Sequence, residues 1–576
     1  MPQVVETSAD HLDFGSTLPL THYRHRHILR ALQLGEALVN DRIRLAASLV
    51  AVAAATVFSV PALAQMPCED LAHLQLTNVT INSASSVPAG PYTPPSTPGA
   101  PPGTFNLPAY CKVQAIARPS SDSAIKMEIW LPASGWNGKF EQVGNGGFAG
   151  TIPLFAMVSP LLRGYATAGT DDGHVGGTDV SWAIGHPEKV IDFGYRAVHE
   201  TSVQAKAIIR AFYGKDPSHS YFVGCSDGGR EALMEAQRYP ADFIGIVAGA
   251  PASDWTHLMF KGLWDERAVA LDPASYIPAS KLPAIQKAAL AACDGLDGLK
   301  DGIIENPRAC HFDPVVIQCQ GADSDDCLTP PQVETARAIY GLVKNSRTGA
   351  EIAPGFSPGA EADPANWRVW ILGAGPGQAA AGSFFANNFF AYMVFEDPKK
   401  DWRSVNFDSD VALTDNKIAP VVSSMNPDLR EFKRQGGKLI QYHGWGDAGI
   451  PPQESVDYFE NVQSKMGKTD GFYRLFMVPA MSHCGGGLGT NVFGNGLFVS
   501  SPDADHDIVL ALDRWVETGT APDQIIATRF VDNNPAKGVQ MTRPLCPYPE
   551  VAHYKGTGDA NDASNFVCQL PGKSKK

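Results

Sequence analysis

Gly224-Cys225-Ser226-Asp227-Gly228-Gly229 follows the apolar run Tyr221-Phe222-Val223 and leads into Arg230-Glu231-Ala232-Leu233-Met234-Glu235-Ala236, a stretch of helical composition. A strand, a turn of small residues and a helix therefore stand in immediate succession. Glycines on both sides of Ser226 suit a turn so sharp that a Cβ would collide. Such a turn projects the serine hydroxyl above the sheet, with the helix N-terminus facing the same point. Ser226 is the candidate nucleophile. Read alone, the hexapeptide also fits a glycine-rich turn whose serine caps the helix.

Strand-like and helix-like segments alternate around this turn. Met127 to Leu131, Ala166 to Gly169, Tyr221 to Gly224 and Gly245 to Gly249 read as strands, and Val198 to Phe212 reads as a helix. This alternation predicts a parallel sheet wound with helices. From about Pro251 to Pro427 the rhythm gives way to sequence rich in Pro, Asp, Gly and aromatic residues, and it resumes at Lys438 to His443 and Arg474 to Val478. The middle reads as an insertion into one α/β domain. The expected organisation is an N-terminal extension and signal peptide over 1–64, the first part of the α/β domain over 65–252, the insertion over 253–426 and the second part over 427–576. Residues 85–108, rich in Ser, Pro and Gly, are expected to form a loop.

The chain has 576 residues, 44% of them hydrophobic, and its net charge is −14. It is too long for a small binding module, and its negative charge disfavours nucleic acid and anionic lipid. Arg42 and Arg44 precede an apolar stretch from Leu45 to Val60 that closes on Ala62-Leu63-Ala64. That is the pattern of a signal peptide, too short for a membrane span, so a secreted or periplasmic protein with no membrane attachment after cleavage is expected. The first 40 residues, with their Thr21-His22-Tyr23-Arg24-His25-Arg26-His27 run, are expected to be an extended leader or to lie upstream of the true start. All ten cysteines lie beyond the cleavage site, without a Cys-x-x-Cys. An even count in an exported chain favours disulfides, although spacing alone does not pair them.

A serine at its ordinary pKa is unreactive, so a base and an acid that orients it belong at the ends of later strands. Asp447 ends the strand that begins at Lys438, and His483 lies in the loop after the strand that begins at Arg474. The order Ser226, Asp447, His483 is that of an α/β-hydrolase. Each of the last two, taken singly, also reads as an ordinary turn or loop residue.

These residues carry a resemblance. Cys225-Ser226 at the turn, Asp447, and His483-Cys484 resemble the paired signatures of the tannase and feruloyl esterase family of α/β-hydrolases. Further matching motifs are Trp136-Asn137-Gly138-Lys139-Phe140, Gly144-Asn145-Gly146-Gly147, Gly249-Ala250-Pro251, Tyr442-His443-Gly444-Trp445-Gly446-Asp447 and Arg543-Pro544-Leu545-Cys546-Pro547-Tyr548-Pro549. The resemblance runs from Cys68 to Cys568. It implies an α/β-hydrolase sheet with a large lid inserted before the catalytic Asp. It further implies an oxyanion hole of the Gly147 and Asp227 backbone N–H groups, and disulfides Cys68 with Cys111, Cys225 with Cys484, Cys293 with Cys310, Cys319 with Cys327, and Cys546 with Cys568. Close approach of His483 to Ser226 also brings Cys225 and Cys484 near bridging distance.

Asp294-Gly295-Leu296-Asp297-Gly298-Leu299-Lys300-Asp301-Gly302-Ile303 spaces three carboxylates among glycines and lacks the EF-hand pattern. On its own it reads as solvated Asp-Gly turns. The resemblance implies one structural Ca2+ held by Asp294, Asp297, Asp301 and the carbonyls of Leu299 and Ile303. The insertion also holds Trp370 and Phe384-Phe385-Ala386-Asn387-Asn388-Phe389-Phe390-Ala391-Tyr392, mostly expected as core. Trp370, Phe385 and His443 are assigned to the substrate pocket, the first two because they match lid positions facing an aromatic acyl group. No Lys or Arg occurs from Ile371 through Glu396, which disfavours a substrate carboxylate. The resulting expectation is a secreted serine esterase of hydroxycinnamoyl or galloyl esters, possessing no organic cofactor, whose substrate is a small aromatic ester, free or attached to plant polysaccharide or polyphenol. The alternatives are a hydrolase of terephthalate- or phthalate-type monoesters and a non-catalytic binding protein on the same fold.

Overall fold

A computed structural model describes residues 65–95, 103–495 and 503–572. The expected extension and signal peptide lie outside them. Nine strands form one central sheet: β1 (Val79–Val87), β2 (Tyr110–Ala117), β3 (Ile125–Pro132), β4 (Lys139–Val143), β5 (Ala166–Thr170), β6 (His219–Cys225), β7 (Gly245–Gly249), β8 (Lys438–Gly444) and β9 (Tyr473–Val478). They are ordered β1-β2-β3-β5-β4-β6-β7-β8-β9.

From β5 to β9 the neighbours pair parallel. All five residues of β7 are buried, which matches its uninterrupted apolar run and the cover of both faces by helices. The expectation of a parallel sheet holds for this half only. β1, β2 and β3 pair antiparallel with one another, and β3 with β5. Antiparallel neighbours need no crossover helix, and among the described residues none separates these strands: a short loop joins β2 to β3, and the segment between β1 and β2 carries a ladder of its own, so no helical period announces them. The described part of residues 85–108 also departs from the expected loop: Ser85 to Val87 complete β1, and Gly90–Tyr92 pairs with Phe105–Leu107 in a small ladder, while 96–102 lie outside the described residues. Val87, Tyr92, Phe105 and Leu107 pack with Tyr110 and Trp130, and this burial overrides the Pro and Gly composition.

The helices that matter for the site are α1 (Ala197–Tyr213), α2 (Asp227–Arg238), α3 (Trp255–Ala270), α4 (Pro330–Tyr340), α5 (Ala381–Asn388), α6 (Gln453–Met466) and α7 (Ile508–Thr518). Ile208 and Ala232 with Phe459 join Phe222, Ile246 and Leu439 in the core on one face of the sheet. On the other face Leu512 and Trp515 of α7 pack with Tyr221, Val247 and Tyr442. The chain leaves the sheet after Gly249 and returns at Lys438, and α3, α4 and α5 lie between. Phe260, Leu263, Phe389, Phe390 and Phe407 form the core of this insertion, which continues onto Phe148 and Phe193 of the sheet domain. The architecture is that of an α/β-hydrolase with a large insertion ahead of Asp447.

All ten cysteines are paired as the resemblance implied, with Cα separations of 5.6 Å (Cys68–Cys111), 6.0 Å (Cys225–Cys484), 5.4 Å (Cys293–Cys310), 5.0 Å (Cys319–Cys327) and 5.5 Å (Cys546–Cys568).

Candidate active site

Ser226 joins β6 to α2 with φ 67° and ψ −122°, a strained conformation for a residue with a Cβ. A Cβ on Gly224 would lie 2.4 Å from the Gly228 carbonyl oxygen, and one on Gly228 would lie 2.9 Å from that of Asn145. The glycines are there because backbone occupies the space. The Ser226 side chain makes no capping bond to α2. Its Oγ lies 2.9 Å from His483 Nε2 instead.

His483 Nδ1 lies 2.7 Å from Asp447 Oδ2, while Asp447 Oδ1 accepts the backbone N–H groups of Gly449 at 2.7 Å and Ile450 at 3.0 Å. These bonds fix the carboxylate, and the arrangement suits a neutral imidazole that donates from Nδ1 and accepts the serine proton at Nε2. Burial opposes the Asp447 charge, but His483 and His443 more than offset it and hold the carboxyl below its usual range. His443 does not line the substrate cleft as expected. It is fully buried, with Nε2 3.1 Å from Asp447 Oδ2 and Nδ1 2.7 Å from Ser455 Oγ. β8 is buried along its whole length after Lys438, and His443 near its end lies beside the carboxylate, four residues before Asp447.

Gly147 lies beside this centre with φ 62° and lines the same cleft as Ser226 and His483. Asp227 is the first residue of α2, so its N–H has no intrahelical acceptor. Gly147 and Asp227 thus both lie in the surroundings of the Ser226 hydroxyl, one in the cleft wall and one directly after the serine in the chain. The glycine loop is clamped to α2 by two bonds: Gly228 N–H to the Asn145 carbonyl at 2.8 Å, and Asn145 N–H to Glu231 Oε2 at 3.0 Å. A Cβ on Gly144 would lie 2.9 Å from that same Glu231 oxygen. Glu231, Asp227 and Asp172 gather beneath the elbow with oxygens within 4.8 Å of one another, all buried. Burial and the neighbouring Glu231 push the Asp172 carboxyl well above its usual range, and Arg230 bonds Asp227 at 2.5 Å. Sequence reading missed Glu231 and Asp172, whose role rests on contacts across the fold.

The cleft has an empty volume of about 640 Å³, counting its open mouth. Trp370 and Phe385 line it as expected. The Trp370 ring meets the His483 ring edge-on at 5.0 Å and stacks with Phe385 at 6.3 Å. Phe389 and Phe390 are buried core, and Phe384 is largely exposed. α3 supplies a wall that sequence reading did not anticipate, including Trp255, Met259, Lys261 and Asp265. A cation is therefore part of the cleft wall, contributed by α3 and not by the segment 371–396.

In the acidic loop, Asp294 accepts the N–H groups of Asp301 and Gly302, Asp297 that of Leu299, and Asp301 that of Ile303. Arg543 bonds Asp301 Oδ2 at 2.5 Å. Burial, together with the charges of Asp301 and Asp294, pushes Asp297 up. These are hard oxygen donors whose charges repel, a set that fits Ca2+, although the three carboxylates do not converge within 4.8 Å as a group.

Residues 111–569 match the family model described as tannase and feruloyl esterase. The chain belongs to the tannase and feruloyl esterase family. It is 44% identical over 532 residues to an uncharacterized esterase of Xanthomonas campestris pv. campestris, covering 88% of this chain and 91% of that protein. It is 34% identical over 537 residues to the mono(2-hydroxyethyl) terephthalate hydrolase of Piscinibacter sakaiensis, covering 81% and 85%. The crystal structure of feruloyl esterase B from Aspergillus oryzae superposes with a TM-score of 0.79 at 31% identity, covering 87% of this chain and 99% of that one. The protein is thus a carboxylic ester hydrolase acting on a small ester, and the alternative of a non-catalytic binding protein falls away.

Proposed function

We propose that this family member is an exported serine esterase that cleaves hydroxycinnamoyl or galloyl esters, free or borne on plant polysaccharide or polyphenol. The observation that carries this reading is the continuous hydrogen-bonded line Asp447–His483–Ser226 opening into an aromatic cleft. In this mechanism His483 Nε2 removes the Ser226 proton as Oγ attacks the ester carbonyl, and Asp447 steadies the imidazolium that forms. The Gly147 and Asp227 N–H groups stabilise the tetrahedral oxyanion, each worth on the order of 3 kcal/mol. His483 then protonates the leaving alcohol, and a water activated by the same imidazole hydrolyses the acyl-enzyme.

Trp370 and Phe385 flank the acyl ring. Five disulfides support folding in an oxidising compartment, in line with the signal-peptide pattern ahead of residue 65. Among the described residues no helix is long and apolar enough to cross a membrane. Asp294, Asp297 and Asp301, with the Leu299 and Ile303 carbonyls, would hold Ca2+ as a structural ion, which takes no part in the chemistry. Hydrolysis of terephthalate-type monoesters is the second reading, favoured by the similarity to the Piscinibacter sakaiensis enzyme and by Lys261 in the cleft wall.

The test is turnover of methyl ferulate, methyl gallate and a terephthalate monoester by the wild type and by Ser226→Ala. The variant should fold and lose about 10⁴-fold or more in kcat, since the three residues act as a unit. Retained activity in Ser226→Ala would sink the mechanism.

A further inference from the structure

The wall contributed by α3 carries a polar pair that the chemistry at Ser226 does not use. The Ser226 carbonyl accepts the Ala252 N–H at 3.1 Å, and α3 runs away from that point. Lys261 and Asp265 lie roughly 9 and 15 Å beyond Trp255 along its axis, at 1.5 Å per residue. Both line the cleft, yet they are only 1% and 4% exposed. Leu258, Met259 and Phe356 surround them with apolar surface.

Lys261 Nζ donates to Asp265 Oδ1 at 2.5 Å and to the Ile339 carbonyl at 3.1 Å, and sits 4.6 Å from the centre of the Phe356 ring. An ammonium has three protons, so one remains. Asp265 Oδ2 accepts no hydrogen bond from the described residues. The pair therefore keeps one donor proton and one acceptor oxygen outside these hydrogen bonds, in two residues that line the cleft, and it is close to neutral as a whole. Burial draws the lysine down and the aspartic acid up to about 6, while each charge supports the other.

These features select among substituents on an aromatic acyl group. A carboxylate would gain Lys261 but face Asp265. An alkoxy group could accept but not donate, and a bare ring would leave both charges unsolvated. A hydroxyl accepts from Lys261 and donates to Asp265, and both bonds are charge-assisted. We propose that Lys261 and Asp265 form a subsite that recognises a phenolic hydroxyl of the acyl ring and makes the enzyme selective for hydroxyaryl esters. This rests on the proposed serine esterase activity. It names the residues that set specificity within that activity.

The experiment compares kcat/KM for methyl cinnamates and methyl benzoates bearing 4-hydroxy, 4-methoxy, 4-carboxy or no substituent, each as a ratio to the unsubstituted ester. Such ratios are internal to one enzyme, so a loss of folded fraction cancels. In the wild type the 4-hydroxy ester should lead by about tenfold or more in the series that is turned over, because a site built to bond a hydroxyl rejects analogues that lack it. Lys261→Met combined with Asp265→Leu replaces a buried ion pair by apolar groups, a change proteins often accept, and should bring the ratio to within about threefold of unity. Asp265→Asn, which keeps a partner for Lys261, should lower the ratio in the same direction and serves if the double variant does not fold.

The inference is overturned by a wild type that shows no preference or favours the 4-carboxy ester, or by variants that keep the wild-type ratio. Those results leave the serine esterase reading intact. Failure of that reading shows itself separately, as no turnover of any ester by the wild type or as full turnover by Ser226→Ala.

Discussion

Cys225 and Cys484 each adjoin a member of the Ser226–His483 pair, and their bridge is the covalent tie between the elbow and the histidine loop. Both sides of that tie are conformationally costly. Ser226 has φ 67° and Cys484 φ 60°, and Gly485-Gly486-Gly487 follows immediately. The double change Cys225→Ala, Cys484→Ala opens a loop of 259 residues. Chain entropy puts the stabilisation lost at about 5.5 kcal/mol at 25 °C before native strain is deducted. Against a typical total of roughly 5 to 15 kcal/mol, a folded population should survive at low temperature, held by the parallel strands β6 to β9.

Activity should fall further than stability does. Without the tether, His483 is positioned by its loop, by Asp447 and by the Trp370 ring, and a displacement near 1 Å costs on the order of 10² in rate. Urea unfolding followed by tryptophan fluorescence gives the first quantity, and kcat at a temperature where the variant is folded gives the second. A folded double variant with wild-type kcat would refute the idea that the bridge holds the base in register. Unchanged unfolding midpoints would refute the entropic magnitude.

Chelation should remove about 2.7 kcal/mol of stability relative to free Ca2+ at ~100 Kd, and so lower the melting temperature, without abolishing activity in protein that stays folded; protein never exposed to chelator but devoid of calcium would exclude the ion. Glu231→Ala should release the Asn145 N–H and reduce kcat about tenfold or more with KM little changed, while Glu231→Gln, which still offers a carbonyl to that N–H, restores it. Equal kcat in both variants would assign Glu231 to packing alone. Glu141 in β4 is fully buried, and burial pushes its carboxyl up to about 7 from 4.5. A group raised in the folded state binds more protons there, so its contribution falls as pH rises from about 4.5 through 7. Glu141→Gln should therefore match wild type at pH 4 and exceed it by up to about 3 kcal/mol at pH 8 in denaturant titrations; no gain at pH 8 would mean that Arg163 already satisfies the charge.

What the sequence determined by itself is what local pattern dictates. The apolar runs of β6 to β9, the glycines around Ser226, and an Asp and a His placed after later strands follow from side-chain period and turn sterics, and the structure brings Ser226, Asp447 and His483 together in that order. The even cysteine count argued for bridges but left the pairing open; the family resemblance supplied it. Tertiary structure alone decided the rest. The antiparallel β1 to β3 carry no helical punctuation to betray their direction. His443 was expected in the substrate pocket, yet it is buried near the end of β8 between Ser455 and Asp447. Glu231 acquires its partner Asn145 from 86 positions away. Lys261 and Asp265 carry no local signal of a site, and only the packing of α3 places them in the cleft wall. Each depends on which distant backbone comes near, a quantity set by the closure of the whole sheet and absent from any local window of residues.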